Sequence, residues 1–454
     1  VTYDFFMSSE FWLKLSSLGA SAALYAAAFP PLEWFWLMPV ALILLFRALQ
    51  NLTPAQAFMA GFVHGVTCYS ISASWLWNLF GPMSLALFGT LAAFHAFYGL
   101  GAAVIGQRQS PTWMLLVASA CLWTILEFIR GELFWLKFPW FTAGLSRGPH
   151  WLLPWIGVYG VSFLTVAASL CLQRKSTVRA GLLLLAAWAA PNFDFPTPSK
   201  DSSPIHVAAI QAEFAPLKTY IELSAQAPPE TNLWIWPEYS YASDLTKNQR
   251  DFETVLGFLK TRAGAIMTLG TQSWFGDEGW HNTALTLDAS GVLGSHFKIH
   301  TVHLFDDGTP GTVAKPVKSP HGTFGTPVCF DCDFQDVCRR MAASGATFFV
   351  APTMDAMSWS LRQHEQHARL FQIRAAENQR WIAVAASSGV TQIVDDLGAV
   401  KARLPAGAEG LLAGRLHARS ELSFFTRWGY RFPWLLFVIL PCSLLRRKGS
   451  PAAS

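Results

Sequence analysis

Charged side chains are scarce in this chain. Its 454 residues include 33 Lys and Arg and 29 Asp and Glu, so that only 14% are charged, whereas 52% are hydrophobic, with 35 Phe and 20 Trp. Soluble domains carry about 25% charged residues. The composition therefore excludes a wholly soluble protein, yet it is too polar for a chain embedded in membrane throughout. The sequence predicts a protein that combines a membrane part with a soluble part.

Other absences exclude further classes. No block of Lys and Arg suggests nucleic-acid binding, and the net charge is only +4. The seven cysteines are odd in number and lack the spacing of a disulfide framework. Four of them lie in apolar runs, where they are most simply lipid-facing or core residues: Cys68, Cys121, Cys171 and Cys442. Nothing at the start resembles a cleavable signal, so we expect the first span to be retained as an anchor.

The first 195 residues are almost continuously apolar and predict a helical membrane domain over 1–195. A membrane of about 30 Å hydrocarbon thickness needs roughly 20 helical residues per span. Seven spans are predicted, at 15–29, 32–46, 55–76, 83–105, 112–130, 151–172 and 177–191. An eighth, C-terminal span is predicted over 432–446.

The basic residues predict the orientation of these spans. Arg47, Arg108 and the group around Arg174 occupy alternate loops, and residues 446–448 (RRK) follow the last span. Loops rich in Lys and Arg tend to stay in the cytoplasm. We therefore expect the segment between the seventh and eighth spans to lie outside the cytoplasm, in the periplasm of a Gram-negative cell.

Ionisable residues inside or beside the fifth span permit two interpretations. Residues 122–148 contain Glu127 and Arg130, which are three residues apart and could pair with each other. In one interpretation the stretch is an interfacial loop with aromatic anchors. In the other it is a site for a lipid headgroup or a substrate, because ionisable groups inside a membrane usually line a binding site or a pathway.

Strands and helices alternate after a polar, proline-rich linker at 196–204. The pattern includes a hairpin-like pair at 283–298 and predicts an α/β or α+β sandwich of about 215 residues, over 203–418. Such a length suits a single soluble domain.

Cys329 is a candidate nucleophile. Thr326 and Val328 indicate a buried strand that ends at this cysteine, and the following residues predict a helix that opens with acidic side chains. A helix N-terminus favours a thiolate. On local evidence alone, a buried structural cysteine is an equally good interpretation.

Two other stretches offer catalytic chemistry. Glu238 follows a hydrophobic strand and a proline; walled by Trp234 and Trp236, it would have a raised pKa and act as a general base, unless it is an N-cap or loop acid. Lys298 lies in a partly apolar strand, where a nearby thiolate or oxyanion would explain a buried ammonium.

A glutamate, a lysine and a cysteine at the ends of successive strands resemble the triad of the nitrilase, or carbon–nitrogen hydrolase, superfamily. With its spans, the whole chain resembles the apolipoprotein N-acyltransferase family, the membrane branch of that superfamily. The stretches at 60–77 and 138–164 are similar to the membrane part of that family, and residues 363–380 to its helix after the active site.

The resemblance implies a multi-pass α-helical domain joined to a nitrilase-like four-layer αββα sandwich. It implies Glu238 as base, Lys298 as the cation beside the oxyanion and Cys329 as nucleophile. The implied supporting or substrate-binding positions are Asn282, Asp306, Phe330 and Asp331. Asp306 and Asp331 are one methylene shorter than the glutamates usual there, and Phe330 replaces a tyrosine.

The implied reaction moves a fatty acyl chain from a membrane phospholipid, through a cysteine thioester, to the amine of a diacylglyceryl-cysteine lipoprotein. It implies no cofactor, an inner-membrane location with the catalytic domain in the periplasm, and a monomer. The loops at 305–311 and 353–359 depart from the pattern of the family. The identity of the acyl acceptor therefore stays open. Alternatives are a membrane-anchored amidase, a divergent acyltransferase for another acceptor such as one linked to conjugation, and a non-catalytic assembly protein.

Two competing motifs are weaker. His364 and His367 are three residues apart and lack the i, i+4 histidine pair of zinc proteases, so we expect no metal site. Cys329 and Cys332 form a C-x-x-C, and a disulfide between them would block the nucleophile.

Overall fold

A computed structural model describes residues 9–191 and 203–444 of the chain. The described residues form two compact units. One is helical and comprises the described residues of 9–148, 156–191 and 431–444. The other comprises residues 149–155 and 203–430. The predicted linker at 196–204 and the basic residues 446–448 fall largely or wholly outside the described residues.

Each of the seven N-terminal apolar runs contains a helix. The helices are α1 (Ser9–Ala27), α2 (Leu37–Leu49), α3 (Pro54–Ser72), α4 (Leu76–Phe80), α5 (Ser84–Gly106), α6 (Thr112–Phe128), α7 (Ala143–Ser146), α8 (Leu153–Leu172) and α9 (Val178–Ala189). A π-helical turn, Ile129–Leu133, extends α6, and α8 is interrupted at Gly157, whose φ is +64°. The helix at the C-terminal end is α15 (Phe432–Leu444).

Three stretches among the described residues are long and apolar enough to cross a membrane: Leu76–Gly106, Thr112–Leu133 and Leu153–Leu172. Shorter apolar helices cover Leu37–Leu49, Val178–Ala189 and Gly429–Leu444. The count of seven N-terminal spans and one C-terminal span therefore stays a prediction.

Helices α3 and α5 approach closely because small residues face each other. A Cβ on Gly61 would lie 2.3 Å from the His95 carbonyl oxygen, and one on Gly99 would lie 2.1 Å from the Ala57 carbonyl oxygen. Small residues at such contacts let two apolar helices pack backbone to backbone. Any larger residue at these two glycines would force the helices apart.

A chain of polar side chains runs through the helical unit. His64 lies 3.0 Å from both Ser21 Oγ and the Nδ1 atom of His95, and His95 in turn lies 3.4 Å from the Tyr69 hydroxyl. Arg130 donates to that hydroxyl and, at 2.8 Å, to the Trp140 carbonyl.

Glu127 and Arg130, which lie in the fifth predicted span, are buried in this unit. Only 6% of Glu127 and 2% of Arg130 is exposed. Glu127 accepts a hydrogen bond from the Ala143 N–H at 2.7 Å, whereas Arg130 uses Tyr69 and Trp140. Both side chains are therefore buried in the unit, and their hydrogen bonds go to different partners.

The second unit alternates strands and helices. Its strands are β1 (Ile205–Gln211), β2 (Leu233–Ile235), β3 (Ile266–Trp274), β4 (Trp280–Asp288), β5 (Gly291–Phe297), β6 (Val317–Ser319), β7 (Gly322–Gly325), β8 (Phe348–Thr353), β9 (Ile382–Ala386), β10 (Thr391–Val394), β11 (Val400–Leu404) and β12 (Gly410–Leu416). Its helices are α10 (Leu217–Ala225), α11 (Gln249–Lys260), α12 (Asp336–Ala343), α13 (Leu361–Asn378) and α14 (Phe424–Arg427).

The described strands form two mixed sheets of six. Their orders are β12-β1-β2-β3-β4-β5 and β11-β10-β9-β8-β7-β6. The centres are parallel, with Val207 opposite Leu233 in one sheet and Phe349 opposite Ile382 in the other, whereas the flanking pairs are antiparallel. Parallel strands need crossover helices, which cover the outer faces.

Three apolar layers hold these elements together. Ile235 and Val350 belong to the core between the two sheets. Tyr220 and Leu259 pack helices α10 and α11 on one outer face, and the side chains of α12 and α13 cover the other. The four-layer αββα sandwich predicted from the sequence is therefore confirmed, and strand ends from both sheets carry the residues considered next.

Candidate active site

Glu238 lies three residues beyond the end of β2, with 2% of its surface exposed. Its Oε1 atom accepts hydrogen bonds from Lys298 Nζ at 2.8 Å and Asn282 Nδ2 at 2.6 Å, and its Oε2 accepts the Met354 N–H at 2.8 Å. Trp234 and Trp236, predicted to wall the carboxylate, instead donate to Ser224 in the core. A carboxylate placed by three donors is held in one orientation.

Lys298 follows directly on the last residue of β5 and is 2% exposed. Its ammonium lies 2.8 Å from Glu238 Oε1 and 2.8 Å from Asp307 Oδ2. Its backbone N–H donates to the Asn282 carbonyl at 2.8 Å, which extends the pairing of β5 with β4 by one step. The charge expected at this position thus lies between two carboxylates.

The structure corrects the prediction for Asp306. Asp306 is exposed, and its neighbour Asp307, 6% exposed, is the residue that contacts Lys298. Asp307 also accepts the Tyr239 hydroxyl at 2.6 Å and the Val302 N–H at 2.8 Å. The path of the loop after β5 therefore turns the second of the two aspartates, nine residues after Lys298, toward the ammonium.

Asn282 lies beside both carboxylates. It lies on β4, and its Nδ2 atom is within 2.9 Å of Glu238 Oε1, Asp307 Oδ1 and the Tyr239 hydroxyl. Tyr239 was not predicted from the sequence; its φ of +55° turns the chain directly after Glu238. Asn282 therefore spaces the two carboxylates that share the lysine.

Cys329 opens a 3₁₀ turn, Cys329–Cys332, with a φ of +46°. A positive φ at a non-glycine residue is strained and is often retained for function. The Sγ atom donates to the Met354 carbonyl at 3.5 Å, and the N–H of the same Met354 binds Glu238. Met354 thus joins the thiol and the carboxylate through one residue of backbone, a role no side-chain motif could have indicated.

The predicted surroundings of the cysteine were partly wrong. Strand β7 ends at Gly325, four residues earlier than expected, and helix α12 begins only at Asp336. Burial and the Glu238 charge raise the pKa of the Cys329 thiol, while Lys298 acts in the opposite direction. The resting thiol is therefore protonated, and attack requires a base.

The pKa values of the two carboxylates are shifted in opposite directions. Burial raises the pKa of Glu238, with Lys298 opposing this effect. Burial acts in the same direction on Asp307, but Lys298 and the Tyr239 and Val302 donors hold its pKa below the usual range. Although burial acts against the ammonium, Asp307 and Glu238 raise the pKa of Lys298 well above the usual value. The arrangement suits Glu238 as the proton carrier, with Lys298 permanently charged.

Asp331 supports the turn that carries the nucleophile. Its Oδ1 accepts the N–H groups of Ile299 and His300 at 3.0 and 2.9 Å, and its Oδ2 accepts from the Val328 N–H at 3.1 Å and lies 2.9 Å from His296 Nε2. Asp331 thus ties the chain after Lys298 to the chain beside Cys329.

Phe330, beside the nucleophile in the chain, packs edge-on against Phe334, with ring centroids 4.9 Å apart.

The described thiols are all free. The sulfur near Cys332 is that of Cys338, 3.8 Å away, and both residues are fully buried. Cys332 therefore has a thiol of helix α12 as its neighbour.

The two histidines of α13 bind protein oxygens. His364 Nε2 lies 3.0 Å from the Ala356 carbonyl oxygen, and His367 lies between Asp355 and Asp333, 2.8 and 3.2 Å away. No group of three or more His, Cys, Asp or Glu side chains that could hold a metal occurs among the described residues.

Two family models match the chain. The apolipoprotein N-acyltransferase N-terminal domain matches residues 21–171, and the carbon–nitrogen hydrolase model matches residues 203–420. Together the two matches span most of the helical unit and nearly all of the sandwich.

Similar proteins cover nearly the whole chain. The apolipoprotein N-acyltransferase of Geobacter metallireducens is 26% identical over 91% of either chain, and that of Azotobacter vinelandii is 26% identical over 96% of this chain and 95% of its own. Among solved structures, Saccharomyces cerevisiae Nit3, a member of branch 10 of the nitrilase superfamily, is 20% identical with a TM-score of 0.41 and covers 48% of this chain and 91% of its own. By its two matched domains and its full-length relatives, this chain belongs to the apolipoprotein N-acyltransferase family.

Proposed function

We propose that this protein is an N-acyltransferase that moves a fatty acyl chain from a membrane phospholipid, through a thioester on Cys329, to the N-terminal amine of a diacylglyceryl-cysteine lipoprotein. The observation that carries the proposal is the backbone of Met354, which binds the Glu238 carboxylate and the Cys329 thiol at once. The names of the full-length relatives support lipoprotein N-acylation over the amidase and assembly-protein alternatives.

In the first half-reaction, Glu238 takes the proton of Cys329, and the sulfur attacks the acyl ester carbonyl. Lys298 and a backbone N–H stabilise the oxyanion of the tetrahedral intermediate. The carbon–oxygen bond then breaks, and the leaving alkoxide takes the proton from Glu238 to give a lysophospholipid. Glu238 can return this proton because burial raises its pKa.

In the second half-reaction, the amine of the acceptor attacks the thioester. Glu238, again a carboxylate, takes the proton that the amine loses, and the amide forms as the carbon–sulfur bond breaks. The thiolate recovers a proton from Glu238, which restores the resting enzyme. Lys298 stays charged through both halves because Asp307 and Glu238 raise its pKa.

Exposed apolar side chains on the loops after the site residues support lipid substrates. Leu304 and Phe305, which lie between Lys298 and Asp307, are 55% and 42% exposed, and Met357, three residues beyond Met354, is 50% exposed. Exposed apolar groups that cluster on loops mark contact surfaces for apolar ligands or membranes. Both altered loops, at 305–311 and 353–359, contribute such residues.

The location is part of the proposal. Arg47 lies in the last turn of α2, and Arg108 and Arg174 follow the C-terminal ends of α5 and α8. These residues favour a cytoplasmic position for the three helix ends. The sandwich follows the C-terminal end of α9, whereas the loop that holds Arg174 precedes the N-terminal end of this helix. If α9 crosses the membrane, this order favours the periplasmic side of a bacterial inner membrane for the sandwich. We propose a monomer, because the residues assigned to the chemistry all come from one chain.

Intact-mass analysis tests the proposal. The purified protein, incubated in detergent with a phospholipid of defined chains, should gain the mass of one acyl group on Cys329 and lose it to a synthetic diacylglyceryl lipopeptide. Cys329→Ser and Cys329→Ala should show no thioester, and Glu238→Ala and Lys298→Ala should abolish its formation. Cys442→Ser, at an exposed cysteine in α15, is the matched control and should behave as wild type.

Two outcomes would overturn the proposal. Acylation of normal yield in either the Glu238 or the Lys298 variant would refute the roles assigned to these residues. A thioester that forms but passes only to water, with no acyl lipopeptide, would show a hydrolase instead.

A further inference from the structure

We propose that His367 is a positioning residue for this reaction, which holds the 353–359 segment in place and offsets the charge of Asp355 at the Cys329 thiol. The inference rests on the proposed function only in taking Cys329 as the nucleophile. Neither the triad nor the comparisons assign His367 a part.

His367 lies between two carboxylates on separate segments. Its Nδ1 atom is 2.8 Å from Asp355 Oδ1, and its Nε2 is 3.2 Å from Asp333 Oδ1. The three residues are nearly fully buried, with exposures of 1–2%. Both ring nitrogens lie beside carboxylate oxygens, at hydrogen-bond distance from Asp355 and at ion-pair distance from Asp333. Two flanking carboxylates favour the doubly protonated, cationic ring.

The balance of charges agrees with the geometry. Burial alone would lower the pKa of His367, but Asp355 and Asp333 raise it to about 10. His367 in turn lowers the pKa of Asp355 against the effect of its burial. A buried ion pair of this kind is costly to break, because either partner is then left as an isolated charge.

Both carboxylates lie next to active-site backbone. Asp355 follows Met354, whose N–H binds Glu238 and whose carbonyl binds Cys329. Asp333 follows the turn that begins at Cys329. By joining the two, His367 fixes the distance between the turn that carries the nucleophile and the segment that contacts it.

Asp355 has further partners that share the positioning. Its Oδ1 atom also accepts from Gln363 Nε2 at 2.9 Å, and its carbonyl accepts from the Ser387 hydroxyl at 3.2 Å. His364, one turn before His367, lowers the pKa of Asp355 but bonds Ala356. These contacts orient Asp355 without supplying the cation that His367 provides.

The charge of Asp355 reaches the nucleophile. It raises the pKa of Cys329, as does Glu238, whereas Lys298 lowers it. The imidazolium of His367, with Nδ1 2.8 Å from Asp355 Oδ1, carries the opposite charge and opposes this effect. Without the imidazolium, the negative charge acts alone and the thiolate becomes harder to form.

The rate of Cys329 alkylation by iodoacetamide at a fixed pH measures this effect, since the rate follows the thiolate fraction. We expect His367→Gln to slow alkylation roughly tenfold at about pH 8, the result of one unit in thiol pKa. His367→Lys, which restores a cation, should recover part of the rate. His321→Gln is the matched control, since His321 is half-buried and its ring nitrogen lies 2.8 Å from the Gly264 carbonyl oxygen rather than beside a carboxylate.

A second variant keeps the test open if His367→Gln does not fold. Asp333→Asn removes one of the two charges that raise the His367 pKa, so the alkaline limb of the thioester-formation profile should move to lower pH. A merely structural role would reduce the amplitude without moving the limb.

Alkylation unchanged in His367→Gln, or an alkaline limb unmoved in Asp333→Asn, would overturn the inference. The alkylation measurement needs neither a lipid nor an acceptor. Failure of the proposed function would instead appear as absent thioester in the wild type, with the alkylation difference between wild type and His367→Gln intact.

Discussion

Asp307 holds its Oδ2 atom 2.8 Å from the ammonium of Lys298, at the same distance as the Oε1 atom of Glu238. Two carboxylates therefore share one cation in a buried site. Asp307 keeps its charge, helped by the Tyr239 hydroxyl and the Val302 N–H, whereas burial raises the pKa of Glu238. The division leaves Glu238 as the group that exchanges protons and Asp307 as the fixed counter-charge.

Replacing Asp307 tests this division. We expect Asp307→Asn to slow thioester formation by about 10–100-fold, which corresponds to roughly 1.4–2.8 kcal/mol of transition-state free energy, because Lys298 then pairs with Glu238 alone and competes with the thiol for it. Asp306→Asn, one residue earlier and exposed, is the matched control and should keep the wild-type rate. Equal loss in both variants, measured by intact mass over time, would show that the loop rather than the Asp307 charge matters.

Gly270 on strand β3 lies behind the base. A Cβ at this position would lie 2.4 Å from the Glu238 Cα and 2.6 Å from the Pro237 carbonyl oxygen. We expect Gly270→Ala to displace Glu238, slow thioester formation at least about tenfold, and lower stability by roughly 1–3 kcal/mol as overpacking does.

Gly257 supplies the control for this prediction. It lies in helix α11, and no atom lies within 4 Å of the place that an added methyl group would take. Gly257→Ala should therefore be neutral or stabilise the protein by up to about 1 kcal/mol, the helix-propensity difference. Thermal unfolding in detergent and thioester formation measure both variants. A Gly270→Ala protein with normal activity would show that the base tolerates displacement.

Glu238→Gln should separate thiol reactivity from catalysis. The Glu238 charge raises the pKa of Cys329, so its removal lowers that pKa and increases the thiolate fraction at a given pH. We expect alkylation of Cys329 at about pH 8 to become several-fold faster, while thioester formation from phospholipid is lost because no base remains. Glu230→Gln, at an exposed residue, should alter neither rate. Slower alkylation in Glu238→Gln would mean that the carboxylate acts on the thiol chiefly as an acceptor of its proton rather than through its charge.

Strong periodic features predicted the fold well. Alternating apolar strands and helices indicated an α/β or α+β sandwich, and the family resemblance implied its αββα form. The structure brings Glu238, Lys298 and Asn282 together. Glu238 and Lys298 follow the C-terminal ends of β2 and β5, and Asn282 lies near the start of the antiparallel β4, so all three lie at one edge of the same sheet. Residues that β-pairing places are therefore predictable from sequence.

The incorrect predictions concern residues in loops, whose path does not follow from a repeating pattern. Asp306 and Asp307 are chemically identical in sequence, and only the path of the chain from Lys298 determines which one turns inward. The predicted strand up to Cys329 failed for a similar reason, because the residues after Gly325 form a turn that Asp331 bonds, rather than a ladder. Met354 acts through its backbone, and His367 through carboxylates that are distant in sequence, so no side-chain pattern indicated either one.

Asp331 offers a test of how strictly the nucleophile turn must be held. Its two oxygens face three backbone N–H groups and His296 Nε2, so every hydrogen-bonding direction of the carboxylate meets a nitrogen. In Asp331→Asn the new NH₂ group must oppose at least one backbone donor and leave it buried without an acceptor, a loss of about 1–3 kcal/mol. We expect a lower unfolding temperature and slower alkylation and acylation of Cys329, since the turn loses its tie to the chain after Lys298. Asp288→Asn is the control, because Asp288 caps the exposed turn between β4 and β5, where an amide oxygen can accept the same bonds. A normal acylation rate in a destabilised Asp331→Asn protein would show that this carboxylate supports the fold but not the placement of the nucleophile.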